Sequence, residues 1–398
     1  MRRIPLVLIV CAAVTLLLSF GIRQSFGLFL EPMTTSLGVS RTAFALAIAI
    51  QNLLWGLSQP LFGALADRFG VVRALLLGGA LYIAGLLIMA LSGSEAGLYL
   101  GAGLLIGLGV SGTSFSLVLA AVARATVPER RSLALGLVSA GGSFGQFAIP
   151  LLSQGLIDGN GWLVGLLILA ACAGLMVPCA FGLARADAGH EQTASTQSLG
   201  QALREAARHN GYWLLNAGFF VCGFHVAFIA THLPAYLASL DFGAMLGAWA
   251  LATIGLFNII GTFVAGFLGG RHRKKNVLSG LYLARSLVFT LFLLVPPSQL
   301  SILLTSAAMG LLWLGTVPLT GGLVGEIFGP RYMATLFSIV MMSHQIGAFF
   351  GAWIGGYVFD LTGSYDIAWQ IAIVLGVLSA ALHLPIPDRP LRFEHESA

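Results

Sequence analysis

Gly63-Ala64-Leu65-Ala66-Asp67-Arg68-Phe69-Gly70-Val71-Val72-Arg73 separates two apolar runs, residues 42–65 and 73–92. Its glycines permit close helix approach, and its charges mark a place where a chain crossing hydrocarbon surfaces into water. Outward from it, the 398 residues are 58% hydrophobic and only 9% charged, with a mean hydropathy of +0.92. An ordinary soluble domain carries about a quarter charged residues, so the composition is that of an integral membrane protein. Each crossing needs ~20 mostly apolar residues. Turn and charge punctuation divides the chain near residues 6–30, 42–65, 73–92, 97–122, 132–156, 161–184, 211–238, 243–269, 276–296, 300–324, 332–358 and 365–384. The expected fold is all-α, with twelve transmembrane helices.

The charges orient these spans. Of the twenty Lys and Arg, all but Arg23, Arg41 and Arg285 fall on one side: Arg2, Arg3, Arg68, Arg73, Arg124, Arg130, Arg131, Arg185, Arg204, Arg208, Arg271, Arg273, Lys274, Lys275, Arg331, Arg389 and Arg392. Basic residues concentrate in cytoplasmic loops, so both termini are expected in the cytoplasm, in a multi-pass membrane of the bacterial inner-membrane type. The net charge of +5 is thus a topology signal, and no nucleic-acid partner is expected. The carboxylates, by contrast, lie near loop ends (Glu31, Glu95, Asp158, Asp241, Asp360 and Asp366 outside; Asp67, Glu129 and Glu326 inside) or in the middle loop and tail (Asp187, Glu191, Glu205, Asp388, Glu394 and Glu396). The membrane interior is therefore electropositive without an acidic countercharge. Cys11, Cys172, Cys179 and Cys222 lie within spans at no metal-like spacing, so no metal, cofactor or disulfide framework is expected.

Arg23 is the sharpest anomaly. An Arg at a helix centre costs roughly 2.5 to 3.5 kcal/mol on insertion scales and usually faces a bundle interior or wet cavity. Guanidinium does not shed its proton in proteins, so an anion or fixed acceptors should meet it. Arg285 is a second buried cation, open to an anion, to backbone carbonyls or to snorkelling. His225 and His344 fall near the midplane and titrate near physiological pH when unperturbed; a neutral imidazole bonded to a neighbouring helix is the alternative. Gln24, Asn52, Gln146 and Asn258 are polar candidates for a cavity lining, though such residues also join helices.

The chain repeats itself near 202 residues. Gly21-Ile22-Arg23 lies over Gly223-Phe224-His225, Pro128 over Pro330, Asp158 over Asp360 and Gly145 over Gly347; with one residue of slippage, Gly63 and Arg68 fall on Gly266 and Arg271. Two six-helix bundles are expected, residues 1–184 and 211–398, joined by a cytoplasmic linker at 185–210, in which 198–208 suits a short amphipathic helix. Substrate sits near midplane between such repeats, and the 202 register would set Arg23 and His225 across one cavity.

Gly63 to Arg73 matches the G-x-x-x-D-R-x-G loop between helices 2 and 3 of the major facilitator superfamily, which the chain resembles over its whole length. The resemblance implies a conformational gate built on Gly63, Asp67, Arg68, Gly70 and Arg73. The second half reads Gly269-Gly270-Arg271, without the Asp. Arg23-Gln24-Ser25-Phe26-Gly27-Leu28-Phe29-Leu30-Glu31-Pro32-Met33 and Glu129 to Gly145 are similar to the first and fifth helices of the monocarboxylate and oxalate/formate-type transporters. The chain departs from that branch where many members carry Asp and Arg on the eighth helix, since Asn258 and Thr262 stand there.

The expected function is secondary active transport of a small organic anion, a monocarboxylate first, by alternating access, with proton coupling left open and a monomer expected. Arg23 would pair with the carboxylate, and His225 or His344 would contact substrate or carry a proton. An exporter of amphipathic drugs or neutral metabolites is the first alternative and a non-transporting ligand sensor the second. No nucleophile, base and orienting acid assemble at depth, so no enzyme is expected.

Overall fold

The structure, a computed structural model, describes residues 6–184, 199–329 and 332–390. Arg2, Arg3, Arg185, Arg331 and Arg392, the carboxylates Asp187, Glu191, Glu394 and Glu396, Pro330 of the repeat and linker residues 185–198 lie outside the described residues. Every regular element among those described is helical. The rest of the linker carries the expected short helix, Leu199–Arg208, which rests on Ala202 and Ala206.

Eleven helices are long and apolar enough to cross a membrane, one of them the 50-residue stretch Leu133–Gly182. At ~1.5 Å per residue a single helix of that length would run far beyond the ~30 Å hydrocarbon core. It turns at Gly161, whose φ of 80° and ψ of 163° are closed to most side chains, and Gly165 packs back beside Leu156 and Ile157. It thus supplies spans 5 and 6 and brings the crossings to twelve. Span 1 is Leu6–Gln24 continued by Phe26–Leu37, span 2 Arg41–Phe69, span 3 Val71–Leu91 and span 4 Glu95–Leu98 through Phe115–Ala125. Span 7 is Asn210–Ser239, span 8 Ala244–Arg271, span 9 Lys274–Leu294, span 10 Gln299–Leu311 with Thr316–Phe328, span 11 Met333–Thr362 and span 12 Asp366–His383.

Close backbone contact builds both halves alike. Span 1 lies on span 5 through Ala13 with Gly141, Leu17 with Gly145 and Gly21 with Ile149. Span 7 lies on span 11 through Asn216 with Ser343, whose hydroxyl donates to the Asn216 carbonyl at 2.7 Å, Phe220 with Gly347, and Phe224 with Gly351. Spans 5 and 11 therefore keep the 202 register, whereas Leu17 matches Phe220 and Gly21 matches Phe224, 203 positions on. The same 203 relates Ser19–Thr113 (2.8 Å) to Cys222–Thr316 (3.2 Å). This corrects the expected pairing of Arg23 with His225. His225 matches Ile22, and Arg23 matches Val226. With 3.6 residues per turn, a one-residue slip swings a side chain about a quarter turn around the helix, enough to point it into a different neighbour.

Spans 4 and 10 are interrupted within about a turn of equivalent positions, at Thr113–Ser114 and at 312–315. Discontinuous helices are tolerated in membranes where protein satisfies the freed backbone, and paired interruptions in two repeats point to where a transporter binds its cargo.

A methyl added at Gly145 would stand 2.1 Å from the Leu17 carbonyl oxygen, whereas one added at Gly155 meets nothing within 4 Å. Overpacking costs typically ~1–3 kcal/mol. Gly145→Val is expected to lower the melting temperature and the monodisperse fraction in fluorescence-detected size exclusion. Gly155→Ala should leave both unchanged.

Candidate functional site

Arg23 occupies the last turn of the first piece of span 1 and is partly buried. Its Nη2 donates to Asn52 Oδ1, its guanidinium lies 4.9 Å from the centre of the Trp55 ring, and its Nε has no partner. Asn52 and Trp55 are three apart on span 2 and so share a face. Asn52 is held in turn by its Nδ2 bond to the Ile48 carbonyl at 2.8 Å. Phe20 packs edge-on to Trp55 at 5.8 Å and lies 4.4 Å from Phe115, at the start of the second piece of span 4. Among the described residues no carboxylate pairs with Arg23. One neutral acceptor and a ring face hold the cation, and its charge stays uncompensated. Gln24 beside it is buried with its amide nitrogen unpartnered.

Arg285 takes the carbonyl option. It is fully buried on span 9, and its Nε and Nη2 donate to the Leu312 carbonyl at 2.9 and 2.6 Å, with Nη2 also donating to that of Trp313. Nη1 faces Cys222 Sγ at 3.5 Å. Those carbonyls belong to the interruption of span 10. From span 8, Asn258 Oδ1 accepts the Leu314 N–H at 3.1 Å, and its Nδ2 reaches Gln146 Oε1 of the other half at 3.5 Å. Asn258 and Gln146 thus meet across the two halves, while Arg285 spends its donors on backbone.

His225 lies away from this arrangement. It is fully buried, shares a 2.8 Å bond between Nε2 and the Ala372 carbonyl of span 12 and stands edge-on to Phe289 of span 9 at 5.0 Å. Its ring serves contacts inside its own half, so the two-sided Arg23–His225 arrangement is not formed. His344 of span 11 is buried at 5.0 Å from the Phe219 ring and beside the Cys222 thiol that Arg285 also faces.

The two ends of the bundle differ. At the end opposite the termini the halves are joined. Arg41 pairs with Glu31 and donates to Tyr365 Oη at 3.0 Å, and lies 3.8 Å above the Phe359 ring. Asp360 Oδ2 accepts from the Thr42 N–H and hydroxyl at 2.7 and 2.5 Å. A methyl added at Gly27 would stand 2.2 Å from the Ala230 carbonyl oxygen, so spans 1 and 7 touch backbone to backbone here. At the end carrying the termini, the ion pairs seen among the described residues lie within a half. Asp67 pairs with Arg124 at 3.7 Å, Lys274 with Glu326 and Arg273 with Asp388. Arg68 stacks on Phe69 at 5.1 Å, Arg73 bonds the Phe69 carbonyl at 3.3 Å, Gly70 turns the chain with φ 94°, and Gly63 has open space around it.

The major facilitator superfamily profile matches residues 12–268 and 247–397. The chain belongs to the major facilitator superfamily. Monocarboxylate transporter 13 of Rattus norvegicus is 27% identical over 382 residues, covering 93% of this chain and 86% of that protein. The oxalate:formate antiporter of Oxalobacter formigenes is 25% identical over 405 residues, covering 96% and 92%. The fold is also that of a bacterial homologue of the human lysosomal transporter Spinster, solved inward-facing and unoccupied, at a TM-score of 0.77 and 15% identity over 96% of this chain and 97% of that one. This superfamily member is accordingly a multi-pass membrane transporter.

Its sequence did not announce Trp55 or the Thr42–Asp360 junction. Trp55 was legible in principle, three positions after Asn52 on one helix face. The junction joins residues 318 positions apart, and no local pattern carries it.

Removing the Asp360 acceptor should loosen the joined end of this transporter. Ala45 is fully buried there against Gly356. In a chain freed of native cysteines, Asp360→Ala is expected to raise maleimide labelling of Ala45→Cys several-fold from that side. Unchanged labelling would mean that the junction does not hold the end shut.

Proposed function

We propose that this transporter carries a small organic anion, a monocarboxylate first, by alternating access of its two halves, with Arg23 as the ligand of the carboxylate. One observation carries the reading: a guanidinium at membrane depth has Asn52 and Trp55 for company and no anion. Charge-assisted bonds are the strong ones, and guanidinium takes a carboxylate in bidentate fashion. A substrate carboxylate therefore supplies what the protein withholds. The relatives named for monocarboxylates and for oxalate and formate point to the same chemical class.

His344, buried on span 11 beside the Cys222 thiol, is the candidate partner from the second half and the candidate proton carrier. Asn258 and Gln146 would line the path between the halves. Arg285 and His225 would act on the site only through the helices they fix. Asp67 and Arg68 would form their contacts between the halves in the opposite state, when the end carrying the termini closes. The termini are cytoplasmic in this reading, in a membrane of the bacterial inner type, and the joined end faces outward.

The test is uptake of labelled lactate, pyruvate or oxalate into proteoliposomes, with and without a pH gradient. Losing a hydrogen bond to a charged group costs ~1.5–3 kcal/mol, so Arg23→Gln should weaken apparent affinity on the order of 10- to 100-fold. Arg23→Lys should retain part of it. Wild-type uptake by Arg23→Gln would remove Arg23 from the site, and little dependence on Arg23 with inhibition by bulky hydrophobic compounds would favour an exporter of amphipathic molecules.

A further inference from the structure

Between spans 8 and 9, at the end carrying the termini, a crevice of about 670 Å³ opens sideways, within the ~300–1,000 Å³ range of small-molecule sites. Leu268, Leu281 and Leu312 form its apolar wall, and Arg271, His272 and Asn276 its rim. From Asn276 to Ala284, another wall residue, the wall descends ~12 Å along span 9. Leu283 and Leu287 on the same helix are exposed, as expected of a surface that faces acyl chains.

Among the described residues, Arg271 and His272 of the rim have no carboxylate partner. In the first half Asp67 precedes Arg68 and meets Arg124; in the second half Gly270 stands in the place of that Asp. The other basic residues of the run are committed. Arg273 is bound bidentately by Asp388 and holds that carboxyl below its ordinary range, chiefly through the side-chain hydrogen bond. Lys274 meets Glu326, and Lys275 donates to the carbonyls of Leu384 and Ile386. Arg271 has the Phe267 ring at 4.0 Å, and among the described residues no carboxylate pairs with it or with His272. Span 9 begins at the rim without a side-chain cap, which adds the positive end of a helix dipole.

We propose that this crevice binds an anionic phospholipid, its phosphate at Arg271 and His272 and one acyl chain along Leu268, Leu281 and Leu312. Charges that only set topology need water above them. These stand over an apolar slot that opens towards the bilayer, and an anionic headgroup with a hydrocarbon tail is complementary to both parts. The chain end would reach Leu312, whose carbonyl Arg285 holds. The proposal is independent of the transported substrate.

The test is native mass spectrometry and thermal shift of the full chain in neutral detergent, titrated with phosphatidylglycerol, phosphatidylcholine or inorganic phosphate. Phosphatidylglycerol should bind and stabilise, and the other two should not. A basic residue near an anionic headgroup contributes about 1 kcal/mol, so Arg271→Gln should weaken phosphatidylglycerol binding roughly fivefold. Gly280 lines the slot, and a Cβ there meets nothing within 4 Å, so Gly280→Leu should fill it and abolish binding while the protein stays monodisperse. Equal binding of phosphatidylcholine, full binding by Gly280→Leu, or stabilisation by inorganic phosphate alone would overturn the proposal; the last would leave an anion site without a lipid.

Discussion

In hydrocarbon, a peptide carbonyl released from its helix has no water to turn to. Span 10 releases such carbonyls at Leu312 and Trp313, and the second half is organised around meeting them. Arg285 answers with three donated bonds from span 9, while Asn258 on span 8 takes the freed Leu314 N–H. One interruption thereby fixes three spans relative to each other, and through Gln146 it reaches the other half. The cation that looked most like a second anion ligand serves to make a broken helix tolerable. That leaves Arg23 as the cation whose charge the protein does not spend.

The repeat solves the same problem twice with different residues. Tyr82 stands 203 positions before Arg285, and its hydroxyl donates to the Ser19 carbonyl at 2.9 Å. In the first half Ser19 bridges to Thr113 at the interruption of span 4 and its carbonyl takes the Tyr82 hydroxyl; in the second, Cys222 and Thr316 form the matching bridge and a guanidinium stands in the place of the phenol. Equal folds with unequal polar groups leave one cation on a side-chain oxygen and a ring face and tie the other to backbone carbonyls.

Membrane class, the number of crossings and the two-bundle plan were legible because each span must be apolar over a fixed length and each loop must carry charge. Arg23 was legible for the converse reason, as a charge where none is cheap. The partner of His225 was not. An apolar repeat offers few residues that distinguish an offset of 202 from one of 203, and the packing of Leu17 on Gly145 and Phe220 on Gly347 chooses between them. Arg285 was open among three fates because a sequence shows that a helix contains glycine and tryptophan, and does not show which neighbour will receive the carbonyls where it breaks.

The junction of Thr42 with Asp360 has a further consequence. Span 2 starts at Arg41, and its own Ser40 accepts the Ala43 N–H. The N–H of Thr42 is accepted by a side chain from the opposite half, so one helix is capped in trans by the other bundle. N-terminal caps contribute typically ~1 kcal/mol. Any separation of the halves at this end would leave that N–H to water, so the shared cap weights the protein towards the state in which the end is shut.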